Sequence, residues 1–346
     1  MAARVVLHVG TMKSGTTFLQ NVVQDNRDVL REQGVSFVGR KWRQQIKAAQ
    51  DAIEHGGDGQ PPIAPDGPWA RIVREMHEWD GTALFSVEFF GARKQSKIEQ
   101  VVSSLGDAPL TVVITARDLA RQIPSMWQES VQNGGRATWE DYLRAVSQER
   151  RDDPVGQGFW RQQGVASWAR RWSAAVGAQN VVVVTAPPKG APSTLLWERY
   201  AGVVGVDPAS CTLEVRANPS LGLASTLVLR RLNEALAEDP LSRRDYHERV
   251  KRVLAKKGMA HHRGEEPALG LDEPWVYARS EKEIADLRRV GCRVVGDLAE
   301  LTSYPVAGVG PGDVSAEQQL EAAVRGLAVA VRDLTGTAKA KRPRRK

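Results

Sequence analysis

Cysteine is nearly absent from this 346-residue chain, which holds only Cys211 and Cys292. Two thiols so far apart provide neither a metal pair nor a redox pair and at most one disulfide, so they read as reduced structural thiols. The six histidines are equally unpromising as ligands. His261 and His262 are adjacent, a spacing that does not place two ligands on one helix face, and His55, His77 and His247 stand alone. No metal site is expected. Also missing is any apolar run near the roughly 18 to 20 residues that a membrane span requires, so no integral membrane association is expected. The opening stretch, Met1 to Gly10, lacks a basic n-region, a long apolar h-region and a small-residue cleavage site. It reads as a first strand, and the expected compartment is the cytoplasm. Nor does the body of the chain carry a basic excess. The formal charge is +7, from 48 Lys/Arg against 41 Asp/Glu, but six of the basic residues fall in Lys339 to Lys346, leaving 42 against 41 elsewhere. A nearly neutral body argues against nucleic acid as a partner.

Hydrophobic residues make up 42% of the chain, enough for a sizeable core. Val5–Val9, Ala83–Val87, Leu110–Thr115 and Val181–Thr185 are continuous apolar runs of strand length, as expected for strands buried on both faces of a parallel sheet. Between them Thr16–Leu30, Trp69–Trp79, Lys97–Leu105, Asp118–Val131 and Phe159–Val176 carry apolar residues at helical spacing. Strand and helix in alternation predict an α/β fold, a central parallel sheet flanked by helices. His55 to Pro68 is a turn-rich loop. Past residue 186 the pattern is mostly helical, over Thr194–Val204, Leu221–Ala237, Asp245–Lys257 and Pro274–Val290, with Cys292–Val295 as a late edge strand. The expected organisation is one domain over 1–305, a linker over 306–314, a helix over 315–334 and a basic disordered tail over 335–346. Ser315 with Gln318 predicts a capping box. Leu320, Val324, Leu327, Val331 and Leu334 form an apolar stripe on that helix, and the helix is expected to pack back on the domain rather than to bind a partner.

The most informative segment is Gly10-Thr-Met-Lys-Ser-Gly15-Thr16-Thr17, between the first strand and an amphipathic helix. Such a loop offers backbone N–H groups and the positive end of the helix to an anion such as phosphate. It is P-loop-like in shape but not an NTPase P-loop in sequence. There a lysine follows the second glycine directly; here Thr16 takes that place, and the lysine has moved inside the loop as Lys13.

LHVGTMKSGTTFLQ resembles the 5′-phosphosulfate loop of sulfotransferases that use 3′-phosphoadenosine 5′-phosphosulfate (PAPS). Their signature is a Lys-Ser/Thr-Gly-Thr-Thr core followed by an aromatic residue and Leu-Gln. The usual proline before the lysine is Met12 here. The family holds the 3′-phosphate with an arginine at the end of a later strand and a serine eight residues on, and VVITARDLARQIPSMWQE supplies Arg117 and Ser125. Arg117 offers a planar fork suited to phosphate oxygens, and Pro124 is expected to kink the helix near Ser125. Bacterial and carbohydrate-directed members carry a carboxylate as the proposed base at the end of the strand that Ala83–Val87 matches, which is Glu88 here. By residue type alone, Glu88 is a base or a solvated surface carboxylate. His8 is a rival base by proximity, though within the first strand it reads as a packed structural histidine.

The resemblance, over roughly residues 4 to 302, is to bacterial, actinobacterial-type members. It implies sulfuryl transfer from PAPS to a hydroxyl or amine of a small-molecule, carbohydrate or lipid acceptor, with release of adenosine 3′,5′-bisphosphate and no need for a metal. Lys13 would neutralise the oxygen bridging sulfur and the 5′-phosphate. Ser14, Gly15, Thr16 and Thr17 would hold that phosphate, Arg117 and Ser125 the 3′-phosphate, and Glu88 would take the acceptor's proton. The alternatives are a P-loop nucleotide kinase and a catalytically inactive PAPS-binding module.

Overall fold

A computed structural model of the chain describes residues 3–56, 60–148, 153–214 and 220–340. The last six residues, 341–346, which carry most of the basic stretch expected to be a tail, lie outside the described residues. The chain divides into two compact units. The first comprises Met1–Leu119, Gly158–Arg216 and Tyr277–Ser303, and the second comprises Ala120–Gln157, Ala217–Val276 and Tyr304–Lys346.

The first unit is built on a six-stranded sheet of β1 (Arg4–His8), β2 (Val35–Phe37), β3 (Thr82–Ser86), β4 (Leu110–Ala116), β5 (Val181–Thr185) and β6 (Arg293–Val295). Their order is β2-β3-β1-β4-β5-β6, and every pairing is parallel. Alternate residues enter two apolar layers. Leu7, Phe85, Val112, Ile114 and Val183 face one layer, with Trp69, Trp168 and Trp172. Val6, Leu84, Val113, Val182 and Val184 face the other, against Leu19, Val22, Trp197 and Tyr200. With both faces dry, both sets of alternating positions are apolar, which is why these strands read as unbroken hydrophobic runs. The late edge strand is present as β6, parallel to β5.

Two expected helices are interrupted. The first ends as Thr16–Asp25 and resumes as Arg27–Glu32. Between them the Asn26 amide donates to the Val22 and Thr212 carbonyls, and its side-chain oxygen accepts from the Thr212 N–H at 2.8 Å. The span Phe159–Val176 is likewise two helices, Pro154–Gln163 and Val165–Val176, separated at Gly164. Both thiols are free, Cys211 buried and Cys292 half-buried.

The second unit is helical, with Trp139–Ser147, Leu223–Ala235, a π-helical stretch Tyr246–Gly258 and the last helix, Ala316–Ala340. The glycine-rich segment read as a linker exchanges backbone bonds with residues 268–271, among them Val306 with Leu271 and Gly270 with Val309. Ser315 and Gln318 form the capping box, each side chain bonded to the other's backbone N–H at 3.2 and 2.9 Å. The last helix packs back on Tyr246–Gly258 and Leu223–Ala235 as expected, but through Ala322 and Gly326 rather than the apolar stripe: Leu320, Val324, Leu327, Val331 and Leu334 are exposed.

Candidate functional site

Strand order places β1 between β3 and β4, which are formed later in the chain and lie on opposite sides of it. Connections therefore leave the carboxyl ends of β1 and β4 in opposite directions, the arrangement that opens a ligand crevice in α/β sheets. The loop that follows β1 sits at this point.

Its backbone is set by three residues with positive φ: Gly10 (114°), Lys13 (64°) and Gly15 (96°). Glycine takes such values freely, whereas a left-handed lysine costs roughly 1–2 kcal/mol. Lys13 is the one non-glycine residue with positive φ among the described residues. Gly15 also admits Leu196, whose side chain would lie 2.4 Å from a Cβ at that position. As the N-cap of Thr16–Asp25, Gly15 opens a helix whose first N–H groups have no intrahelical acceptor.

Thr115 on β4 fixes the loop from below. The Thr115 N–H donates to the Gly10 carbonyl at 2.5 Å, and the Thr11 N–H donates to the Thr115 carbonyl at 2.8 Å. Its hydroxyl reaches the Gly10 carbonyl at 3.0 Å and lies 2.5 Å from Ser14 Oγ. Ser14 Oγ donates to the Thr11 carbonyl at 2.6 Å, so its side chain is spent on the loop. The line continues through His8, whose ring nitrogens lie 3.2 Å from Thr115 Oγ1 and 2.8 Å from Ser86 Oγ. His8 is 1% exposed, and burial pushes its pKa down to about 3. A neutral imidazole engaged at both nitrogens and shut off from solvent is a structural tie between β1, β3 and β4, not a base. Gln20 adds another, from the helix to the Ser86 carbonyl at 3.1 Å.

Glu88 stands two residues beyond β3, half-buried, and accepts a hydrogen bond from Thr16 Oγ1 at 2.5 Å. Thr16 itself is 3% exposed, while Thr17, next on the helix, is exposed. Arg117, just past β4, donates from Nη1 to the Lys13 carbonyl at 3.3 Å. The first unit thus brings together Lys13, Ser14, Gly15, Thr16, Thr17, Glu88 and Arg117. Ser125 belongs to the second unit, where its hydroxyl donates to the Arg121 carbonyl at 2.9 Å on the helix Leu119–Gln132, which contains Pro124.

Trp168 packs against the loop and the segment after β3. A Cβ on Gly10 would lie 3.1 Å from this ring and one on Gly91 would lie 1.9 Å from it, so the indole fills the gap between the loop and the segment after β3. Its Nε1–H donates to the Arg161 carbonyl at 2.7 Å. Arg93, half-buried, donates from Nε to the Phe89 carbonyl at 2.7 Å. Burial first, and the nearby Arg161 charge second, lower its pKa. Among the described residues no carboxylate pairs with Arg93. Also among the described residues, no three His, Cys, Asp or Glu side chains gather to hold a metal, and no helix is long and apolar enough to cross a membrane.

No protein-family model matches the chain, and no curated protein matches it in sequence. Among solved structures it is similar to a sulfotransferase from Alicyclobacillus acidocaldarius. The two share 15% identity at a TM-score of 0.42, over 68% of this chain and 96% of that one.

Sequence reasoning missed Thr115 and Trp168 as parts of this constellation. A threonine ending a strand carries no compositional signal, and its partners at the loop lie about a hundred positions away. Trp168 shows helical spacing with Trp172 and is indeed core; that its ring also abuts two glycines is visible only in three dimensions.

Proposed function

We propose that the chain transfers a sulfuryl group from PAPS to a hydroxyl or amine of an acceptor. The observation that carries this reading is the hydrogen bond from Thr16 to Glu88. It sets an anion-binding loop and a carboxylate with the reach of a general base within one contact of each other. The loop fits a nucleotide 5′-phosphate by its chemistry: helix N–H donors, hydroxyls and a lysine held in the left-handed conformation. PAPS would be held there by Lys13, the Ser14 to Thr17 backbone and the threonine hydroxyls. Arg117, and on the sequence motif alone Ser125, would serve the 3′-phosphate.

The acceptor oxygen or nitrogen attacks sulfur, the bond from sulfur to the 5′-phosphate oxygen breaks, and the acceptor's proton passes to Glu88. Lys13 offsets the charge that grows on the leaving oxygen, a positioning and electrostatic role of the kind that phosphoryl transfer requires. Adenosine 3′,5′-bisphosphate leaves.

Arg93, half-buried, near Arg161 and, among the described residues, without a carboxylate partner, supports an acceptor that itself carries an anionic group, since a guanidinium partly withdrawn from water gains from an opposite charge. The test is mass spectrometry of a metabolite extract incubated with the protein and PAPS, searched for a gain of one SO3. The expected products are sulfated forms of molecules that bear a phosphate, carboxylate or sulfate. No product dependent on the protein would overturn the activity, and uncharged acceptors alone would overturn the anionic class.

A further inference from the structure

The last helix, Ala316–Ala340, is apolar on two sides. One side packs inside its own unit, where Ala322 is buried and Gly326 is pressed against Leu254 and Met259, side chains that would lie 2.8 and 2.9 Å from a Cβ. The opposite side carries Leu320, Val324, Leu327, Val331 and Leu334, each between 55% and 64% exposed. Monomeric proteins seldom leave a continuous apolar strip of this length in water.

Three observations say what covers it. The intervals between the five residues run four, three, four, three, which is a heptad seam rather than the broader stripe of a helix packed on a globular core. Leucine falls at all three d positions of the helix and valine at the two a positions between them, the combination that favours two parallel strands, while the outlying a positions are Glu317 and Ala338. The flanking e and g positions at the centre are Ala323, Ala328 and Ala330, which bring neither like charge nor bulk to a facing helix. Of the charges beside the seam, Glu321 is tied to Arg325, which also pairs with Glu265 at 2.8 Å. A helix lying on a membrane would instead border its apolar face with Lys or Arg and add aromatic residues. With roughly 100 Å² of apolar surface showing on each seam residue, two copies would bury on the order of 1,000 Å², the lower bound for a specific interface.

We infer that two copies of this chain associate through the exposed face of Ala316–Ala340 as a short, parallel, two-stranded coiled coil. The inference stands independently of the sulfotransferase reading.

Sedimentation equilibrium of the full chain between about 1 and 100 µM tests it. The expected result is a reversible dimer, twice the 38.0 kDa chain mass. Leu327→Glu and Val331→Glu should each raise the dissociation constant by at least about 30-fold. Because both side chains are exposed on the single chain, circular dichroism should stay unchanged, and the melting temperature should match the wild type at concentrations where both are monomeric, which shows that folding is intact. In a Cys292→Ser background, Leu327→Cys should cross-link to itself under mild oxidation, as a parallel register requires. A monomer throughout the range, or a dimer that survives both glutamates, overturns the inference. So does binding of phosphatidylserine vesicles by a monomer that Leu327→Glu abolishes, which would give the face to a membrane.

Discussion

Thr16 Oγ1 donates its proton to Glu88 Oε1 at 2.5 Å, joining the first helical turn after the glycine loop to the end of the neighbouring strand. A hydroxyl has one proton to give, so it serves either the carboxylate or a phosphate bound in the loop. In the proposed reaction a nucleotide bound in the loop would compete with Glu88 for it, and filling the loop would release the carboxylate toward the acceptor. Glu88→Gln keeps the size and removes the basicity. Turnover of a true acceptor should fall by about 10² to 10⁴, the usual worth of a general base. The dissociation constant for adenosine 3′,5′-bisphosphate should move by less than about threefold. Near wild-type turnover would return Glu88 to the role of a surface carboxylate.

Lys13 separates loop stability from ligand binding. Both Lys13→Ala and Lys13→Gly remove the cation and should weaken nucleotide binding by about 10- to 100-fold, the scale of a charge-assisted hydrogen bond. They should differ in stability, because glycine accepts φ near 64° without a steric penalty and alanine does not. The glycine variant should be more stable by up to about 1 kcal/mol, a difference reduced by its freer unfolded chain. Equal or reversed stabilities in urea titrations would contradict the left-handed geometry, and unchanged affinity in both variants would remove Lys13 from the site.

The buried imidazole of His8 makes stability depend on pH in a defined direction. Its folded pKa of about 3 lies below the unfolded value near 6.5, so the unfolded chain binds a proton that the folded chain refuses. The contribution is complete above pH 6.5 and is lost as pH falls toward 3, at about 1.4 kcal/mol per unit for one proton. Urea midpoints measured from pH 7.5 to 5 should drop below 6.5. His8→Gln should be less stable at pH 7.5 yet lack that slope. The same slope in the variant would assign the acid sensitivity elsewhere.

The α/β class is legible in the sequence because Val6 and Leu7, or Leu84 and Phe85, enter opposite apolar layers and make unbroken hydrophobic runs. β2 is not legible. Val35–Phe37 is three residues long, and its identity comes from pairing with β3. The helix break at Asn26 escapes the apolar pattern because its side chain answers to the Thr212 backbone, far away in sequence. The stripe of the last helix is visible as periodicity, but periodicity does not say which side packs: small Ala322 and Gly326 allow close approach where the larger residues do not. At the candidate site, the glycine loop marks Lys13, and Arg117 and Glu88 are marked by the resemblance of their segments to sulfotransferase motifs. That Thr16 reaches Glu88 and Thr115 holds the loop depends on strand order, which periodicity leaves open.

The displaced lysine is the feature that most sharply divides a PAPS-binding loop from an NTPase loop, and a thermal-shift titration reads it directly. With adenosine 3′,5′-bisphosphate and excess EDTA, the melting temperature should rise with ligand concentration, as expected for a ligand that binds the folded state alone. ATP with magnesium at the same concentrations should raise it less, and Lys13→Ala should flatten the first response. A larger shift from ATP that requires magnesium, with none from the bisphosphate, would contradict the sulfotransferase reading and favour a nucleotide kinase.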